Sequence, residues 1–94
     1  MKVGSFEKQP GERISVSIGY AYALDDGDEV SLVNSCVVSP DGEMTASAVL
    51  AATDRVRVWV EGGLDRVAYT VTVTVTTAGG ERLEDELTCK VKEI

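Results

Sequence analysis

The chain has 94 residues, long enough for one domain with a single apolar core and too short for two. Its 44% apolar and 27% charged content is that of a soluble globular protein rather than a disordered or membrane-spanning one. Nine basic residues against sixteen acidic ones give a net charge of −7, which cannot furnish the basic face that nucleic acid or an anionic membrane surface requires.

In chain order, Lys2 to Phe6 reads as a short first strand anchored by Val3 and Phe6. Pro10-Gly11 then breaks the chain. The second strand runs from Arg13 to Tyr22. Ile14, Val16, Ile18, Tyr20 and Tyr22 share one parity, and the small residues Ser15, Ser17, Gly19 and Ala21 share the other. The small set leaves two readings open, a plain solvent-facing strand or a face closely approached by a loop or another subunit. Asp25-Asp26-Gly27-Asp28-Glu29 is an acidic turn. It lacks the alternating ligands and distal Glu of a calcium-binding loop, so a solvated turn is expected.

Val30 to Ser39 is the third strand. Val30, Leu32, Cys36 and Val38 are assigned to one face, with Asn34 interrupting it. Either Asn34 finds buried hydrogen-bond partners or a bulge there shifts the register. Ser39-Pro40-Asp41-Gly42 has turn chemistry. Residues 43–53 read as a strand or an irregular crossing between sheets. Asp54 to Glu61 is a strand with Val56, Val58 and Val60 facing in and Arg55, Arg57, Trp59 and Glu61 facing out.

The clearest element is a long hairpin from Asp65 to Val91. Tyr69, Val71, Val73 and Val75 alternate with Thr70, Thr72, Thr74 and Thr76, placing the first set on a buried face. Gly79 and Gly80 supply a turn with freedom for positive φ. On the return strand, Leu83, Leu87, Cys89 and Val91 face inward. Asp85 falls on that same parity and is expected near the open end of the hairpin, where a carboxylate stays wet. Glu84, Glu86, Lys90, Lys92 and Glu93 carry the charges that guard an exposed sheet edge.

About seven strands separated by regular turn signals predict an all-β chain. Its expected fold is an Ig-like (fibronectin III-like) Greek-key β-sandwich, one domain spanning residues 1–94. Tyr69, early in the penultimate strand, occupies the place of a tyrosine corner, a structural role. No Cys stands two residues after it, so the antibody disulfide pattern is missing.

No reaction is legible. The chain has no histidine to serve as a base near pH 7, no phosphate-cradling glycine loop leading into a helix, and no nucleophile beside an evident base. No catalytic residue, metal site or cofactor is therefore expected. Cys36 and Cys89 read as two buried reduced thiols, with a disulfide between them as the other reading, which a reducing compartment argues against. The residues 1–7 contain no apolar stretch of a secretory signal, which makes a cytoplasm the expected place of synthesis and folding. Trp59 with Arg57 and Arg55 has the composition of an interface hot spot, and this trio is the candidate docking surface; the other place for Trp59 is the core.

Several segments together resemble a known family: Lys8-Gln9-Pro10-Gly11-Glu12, Leu24-Asp25-Asp26-Gly27-Asp28-Glu29-Val30, and Val56-Arg57-Val58-Trp59-Val60-Glu61-Gly62-Gly63. Tyr69-Thr70-Val71-Thr72 and Glu86-Leu87-Thr88-Cys89-Lys90-Val91 continue the resemblance across nearly the whole chain. It is to small phage- and prophage-encoded proteins, described as fiber–tail adaptor or head–tail structural proteins. The resemblance implies a non-enzymatic virion component made in the host cytoplasm. Its partners would be other virion proteins, with a homo-oligomer in the particle, and neither nucleic acid nor membrane. The other functional class considered is an Ig-like module binding carbohydrate or a cell surface. The five aromatic residues offer such a module only a thin stacking platform.

Overall fold

The computed structural model describes residues 2–93, with side chains from Val3 onward. Seven strands follow one another: β1 (Lys2–Lys8), β2 (Arg13–Gly19), β3 (Val30–Ser39), β4 (Met44–Ala52), β5 (Arg55–Gly62), β6 (Ala68–Thr77) and β7 (Arg82–Val91). They form two sheets, ordered β1-β7-β6-β3 and β2-β5-β4, with no helix among the described residues. The chain is thus an all-β sandwich. Residues 43–53, read as a strand or an irregular crossing, are the regular strand β4.

The core lies between the sheets, where period-two alternation sends one parity of each strand inward. Val56, Val58, Val71, Val73 and Val75 have no solvent exposure, and Val60 has 1%. A fully buried valine contributes about 1.5–3 kcal/mol relative to an exposed one. Branching at Cβ also suits these residues to the pleat. The β6–β7 register sets Tyr69 opposite Cys89, Val71 opposite Leu87 and Val75 opposite Leu83. The hairpin turn is closed by Thr77, which accepts from Gly80 N and donates its own N–H to Glu81 O. Of its two glycines only Gly80 adopts positive φ, at 96°. Gly79 instead donates its N–H to Asp28 Oδ1 at 2.9 Å, tying the turn to the acidic loop.

Asp85 departs from expectation. It lies opposite Val73 in mid-hairpin and is only 3% exposed, not wet at an open end. The return strand is also not an edge. β1 runs parallel beside it, pairing Phe6 with Cys89 and Lys8 with Val91, so the charges of β7 stand in the interior of a sheet. Nothing in the local pattern of 82–91 signals that β1 would cover it.

β3 resolves the Asn34 ambiguity by bulging. Register shifts between Val30 and Leu32 and between Val33 and Ser35 rotate the strand. Val33 takes the inward position that was assigned to Leu32, which is left 54% exposed. Asn34 lies outside and accepts a hydrogen bond from Thr76 Oγ1 at 2.7 Å. The physical reason is that one inserted residue moves every later side chain to the opposite face.

β2 ends at Gly19, short of Tyr22. Tyr20 is fully buried and its N–H bonds to Asp54 O, while Ala23 N and Leu24 N both donate to Tyr20 O and turn the chain. Tyr22 is consequently 59% exposed rather than inward. At the opposite end, Gly62 and Gly63 have φ of 80° and 99°. A Cβ on Gly62 would stand 2.6 Å from Glu43 O, and one on Gly63 would stand 2.8 Å from Val91 Cγ2. Only glycine fits this crossing between sheets.

Candidate docking face

The outward side of the β2-β5-β4 sheet is built in rows by the two antiparallel registers. Arg13, Glu61 and Thr45 form one row, and Ser15, Trp59 and Ser47 the next. Ser17, Arg57 and Val49 follow, and Gly19 and Arg55 lie beyond. The parity that buries Val56, Val58 and Val60 therefore presents Arg55, Arg57, Trp59 and Glu61 on the other surface. Trp59 is half-buried on the outer face and is not among the core residues.

Its neighbours explain that partial cover. Ser15 and Ser47 are short, which leaves the indole room to lie against the sheet. Arg13 stands over the ring at 4.2 Å from its centroid and Arg57 at 6.0 Å. Such contacts at an exposed site contribute about 0.5–1 kcal/mol. Arg13 is held in place by a 3.9 Å ion pair with Glu61, and Arg57 by donating to Ser15 Oγ at 3.0 Å. Arg13, Thr45, Ser47, Trp59 and Glu61 line an open recess beside the ring. Small residues of β2 thus adjoin Trp59 and Arg57 of the same chain, although Gly19 has open space where a Cβ would stand.

Of the expected trio, Arg57 and Trp59 come together, and Arg55 lies one row further along the face. Arg13 was not singled out in sequence, because its place over Trp59 depends on the β2–β5 register. The arginines are set against one carboxylate, Glu61, so this face is basic within a chain of net charge −7.

Several polar groups elsewhere are committed to structure. Asp28 accepts from Glu29 N and Gly79 N, each at 2.9 Å, and these hydrogen bonds hold its carboxyl below the usual range. Among the described residues no group of three His, Cys, Asp or Glu side chains could hold a metal ion. Lys8 is 3% exposed and donates to Gln9 O at 2.7 Å and Gly62 O at 2.6 Å. Cys36 is half-buried and Cys89 buried, both unbridged, and burial pushes both thiols up. Burial also pushes the Asp85 carboxyl up. The Tyr20 hydroxyl feels the Asp85 charge but has no partner in hydrogen-bonding geometry among the described residues. Tyr69 behaves differently, its hydroxyl accepting the Leu64 backbone N–H.

No curated protein sequence matches the chain significantly. Residues 8–90 match the model of one family, described as Podophage GP4 fiber-tail adaptor protein gp77. That stretch contains the outer-face rows, the Gly62-Gly63 crossing and the long hairpin, and the family is one of structural, non-enzymatic tail proteins. With nearly its whole length so matched, the chain belongs to the podophage fiber–tail adaptor family.

Proposed function

We propose that this protein is a non-enzymatic virion component that joins other tail proteins through protein–protein contacts, docking through the outer face of the β2-β5-β4 sheet. The observation that carries the reading is Trp59, half-exposed beneath the Arg13 guanidinium between the short side chains of Ser15 and Ser47. Trp and Arg dominate interface hot spots because each offers a large contact area together with hydrogen-bond donors. Arg57 and Arg55 extend the surface along β5. The protein is made in the host cytoplasm and carried into the virion, where several copies act together. Its net charge of −7 favours protein partners over nucleic acid or membrane. The β2-β5-β4 and β7-β6-β3 neighbours correspond to the B-E-D and G-F-C strands of immunoglobulin-like sandwiches, and reading the fold as Ig-like rests on that order.

The test is mass spectrometry of purified particles assembled with wild-type or Trp59→Ala protein. Wild-type protein at a stoichiometry near that of other tail components, with the Trp59→Ala protein folded but depleted, supports the reading. Particles complete without the wild-type chain overturn it.

A further inference from the structure

The strands at the margins of a sheet carry unpaired backbone donors and acceptors, and proteins usually guard them with charges, bulges or proline. Here the margins are β1 and β3 of the larger sheet and β2 and β4 of the smaller one. On one side of the sandwich β3 runs beside β4, and Val30 N–H joins Thr53 O across the gap between the sheets. On the other side β1 turns away to pair in parallel with β7. That leaves β5 as the one strand paired with β2 among the described residues. Arg13 to Gly19 pair with β5 in an unbroken register, and their other edge is free of strand pairing. After Arg13 the strand has no charge, no proline and no bulge. Its inward side chains also lack cover. Ile14 and Val16 are half-buried, whereas Val60 and Val58 opposite them on β5 are at most 1% exposed. Phe6, on the inward parity of β1 opposite Cys89, is half-buried too.

We infer that the β2 margin is the acceptor for an extended segment of another tail protein, apolar on one parity and carboxylate-bearing on the other. The inference rests on the adaptor reading above and names the chemistry of the partner. An added strand continues the pleat of the β2-β5-β4 sheet. Its inward side chains would complete the cover of Ile14 and Val16. Its outward side chains would stand beside Arg13, Ser15, Ser17 and Gly19. Three arginines meet them there. Arg13 belongs to the margin strand itself. Arg57 rises from β5 but donates to Ser15 Oγ at 3.0 Å, so its guanidinium already lies over β2. One strand spacing, roughly 5 Å, then separates that charge from the added strand. Arg55 is opposite Gly19, which has open space where a Cβ would stand, so no β2 side chain lies between Arg55 and the margin. Glu61 does not cancel this charge, because it stands at the far end of the face from Arg55, paired with Arg13.

A second copy does not meet this description. In an antiparallel pair of β2 strands centred on Val16, Arg13 of each copy falls opposite Gly19 of the other, in one row with that copy's Arg55. Like charge would stand beside like charge at both ends of the pair. The carboxylate-rich segments of the chain are already committed. β7 has β6 and β1 on its two sides, and the acidic turn is tied by Asp28 to Gly79 of the long hairpin.

The experiment titrates isotope-labelled protein with a capped peptide as long as β2 that alternates valine and glutamate, and with its valine–lysine counterpart. Amide shifts and slowed amide exchange are read residue by residue, and sedimentation follows self-association. The expected result is saturable perturbation centred on β2 with the glutamate peptide alone, weakened by added salt. Ser17→Glu and Arg57→Gln, each checked for a wild-type unfolding transition, should weaken binding at least about ten-fold. Val37→Glu on the β3 margin should leave it unchanged. No binding, equal binding of the lysine peptide, perturbation centred on β3 or β4, or a dimer that protects the β2 amides without peptide overturns the inference. The Ser17→Glu protein is also counted in assembled particles. Its full incorporation overturns strand addition while the adaptor reading stands; absence of the wild-type chain from particles overturns the adaptor reading itself, and the titration still decides the chemistry of the β2 margin.

Discussion

The Tyr69 hydroxyl accepts the Leu64 backbone N–H at 2.8 Å, bridging the segment that carries the chain from one sheet to the other. Tyr69 is 1% exposed, so its hydroxyl would be a buried polar group without this partner. Tyr69→Phe keeps the ring and removes only the acceptor. It should lower stability by about 1 kcal/mol. Denaturant unfolding of both proteins checks this, and an unchanged midpoint would deny the hydroxyl a stabilising role.

The same crossing depends on Gly63. A methyl group there would meet Val91 Cγ2 at 2.8 Å and both Met44 Cε and Tyr69 Cε2 at 3.1 Å, on a backbone with φ of 99°. Gly63→Ala combines steric overlap with an unfavourable conformation, and a loss of about 1–3 kcal/mol is expected. Thermal unfolding reads it directly. A neutral result would mean that the crossing relaxes freely.

Lys8 is the buried cap of the β1–β2 connection. Its ammonium gathers the carbonyls of Gln9, Pro10 and Gly62, joining the first connection to the end of β5. Lys8→Met retains an unbranched side chain but strands these acceptors, and should cost about 1–3 kcal/mol. Equal stability of the two proteins would show that water replaces the ammonium at no cost.

Asp85 makes stability depend on pH with a definite sign. Burial raises its folded-state value above the ordinary carboxylate value. Its contribution to stability is complete below the unfolded value, near pH 4, and is lost as pH rises through the raised folded value. Asp85→Asn cannot titrate. The stability of this variant relative to wild type should therefore grow as pH rises above about 4 and level off once the raised folded value is passed. A gain that shrinks over that interval would mean the carboxyl is better stabilised ionised than its burial implies.

Trp59 contributes to the surface more than to the fold. Trp59→Ala should reduce stability by about 1–2 kcal/mol, the scale of its two cation–π contacts, and leave the fold intact. Collapse of the folded monomer, seen as loss of its cooperative unfolding transition, would assign the ring to the core.

Much of the architecture is written locally. The unbroken alternation of 67–76 and of 56–60 leaves one choice of buried face, because any other register exposes a row of valines. Glycine pairs and Pro-Gly or Asp-Gly steps punctuate the strands for backbone reasons that need no tertiary partner. The outward direction of Trp59, Arg57 and Arg55 follows from the same alternation.

Pairing between strands distant in the chain is a different kind of fact. The β1 cover that makes β7 an interior strand, the Arg13 guanidinium over Trp59, and the desolvation of Asp85 beside Tyr20 each depend on which strand lies next to which. The two bulges of β3 exchange the roles of Leu32 and Val33; Asn34 on the apolar parity signals an irregularity there, but the first bulge, between Val30 and Leu32, has no such marker. Local periodicity therefore determined which side chains face together along a strand. Only the assembled sandwich decided which strands lie at its margins, because margins are a property of the whole sheet and not of any one segment.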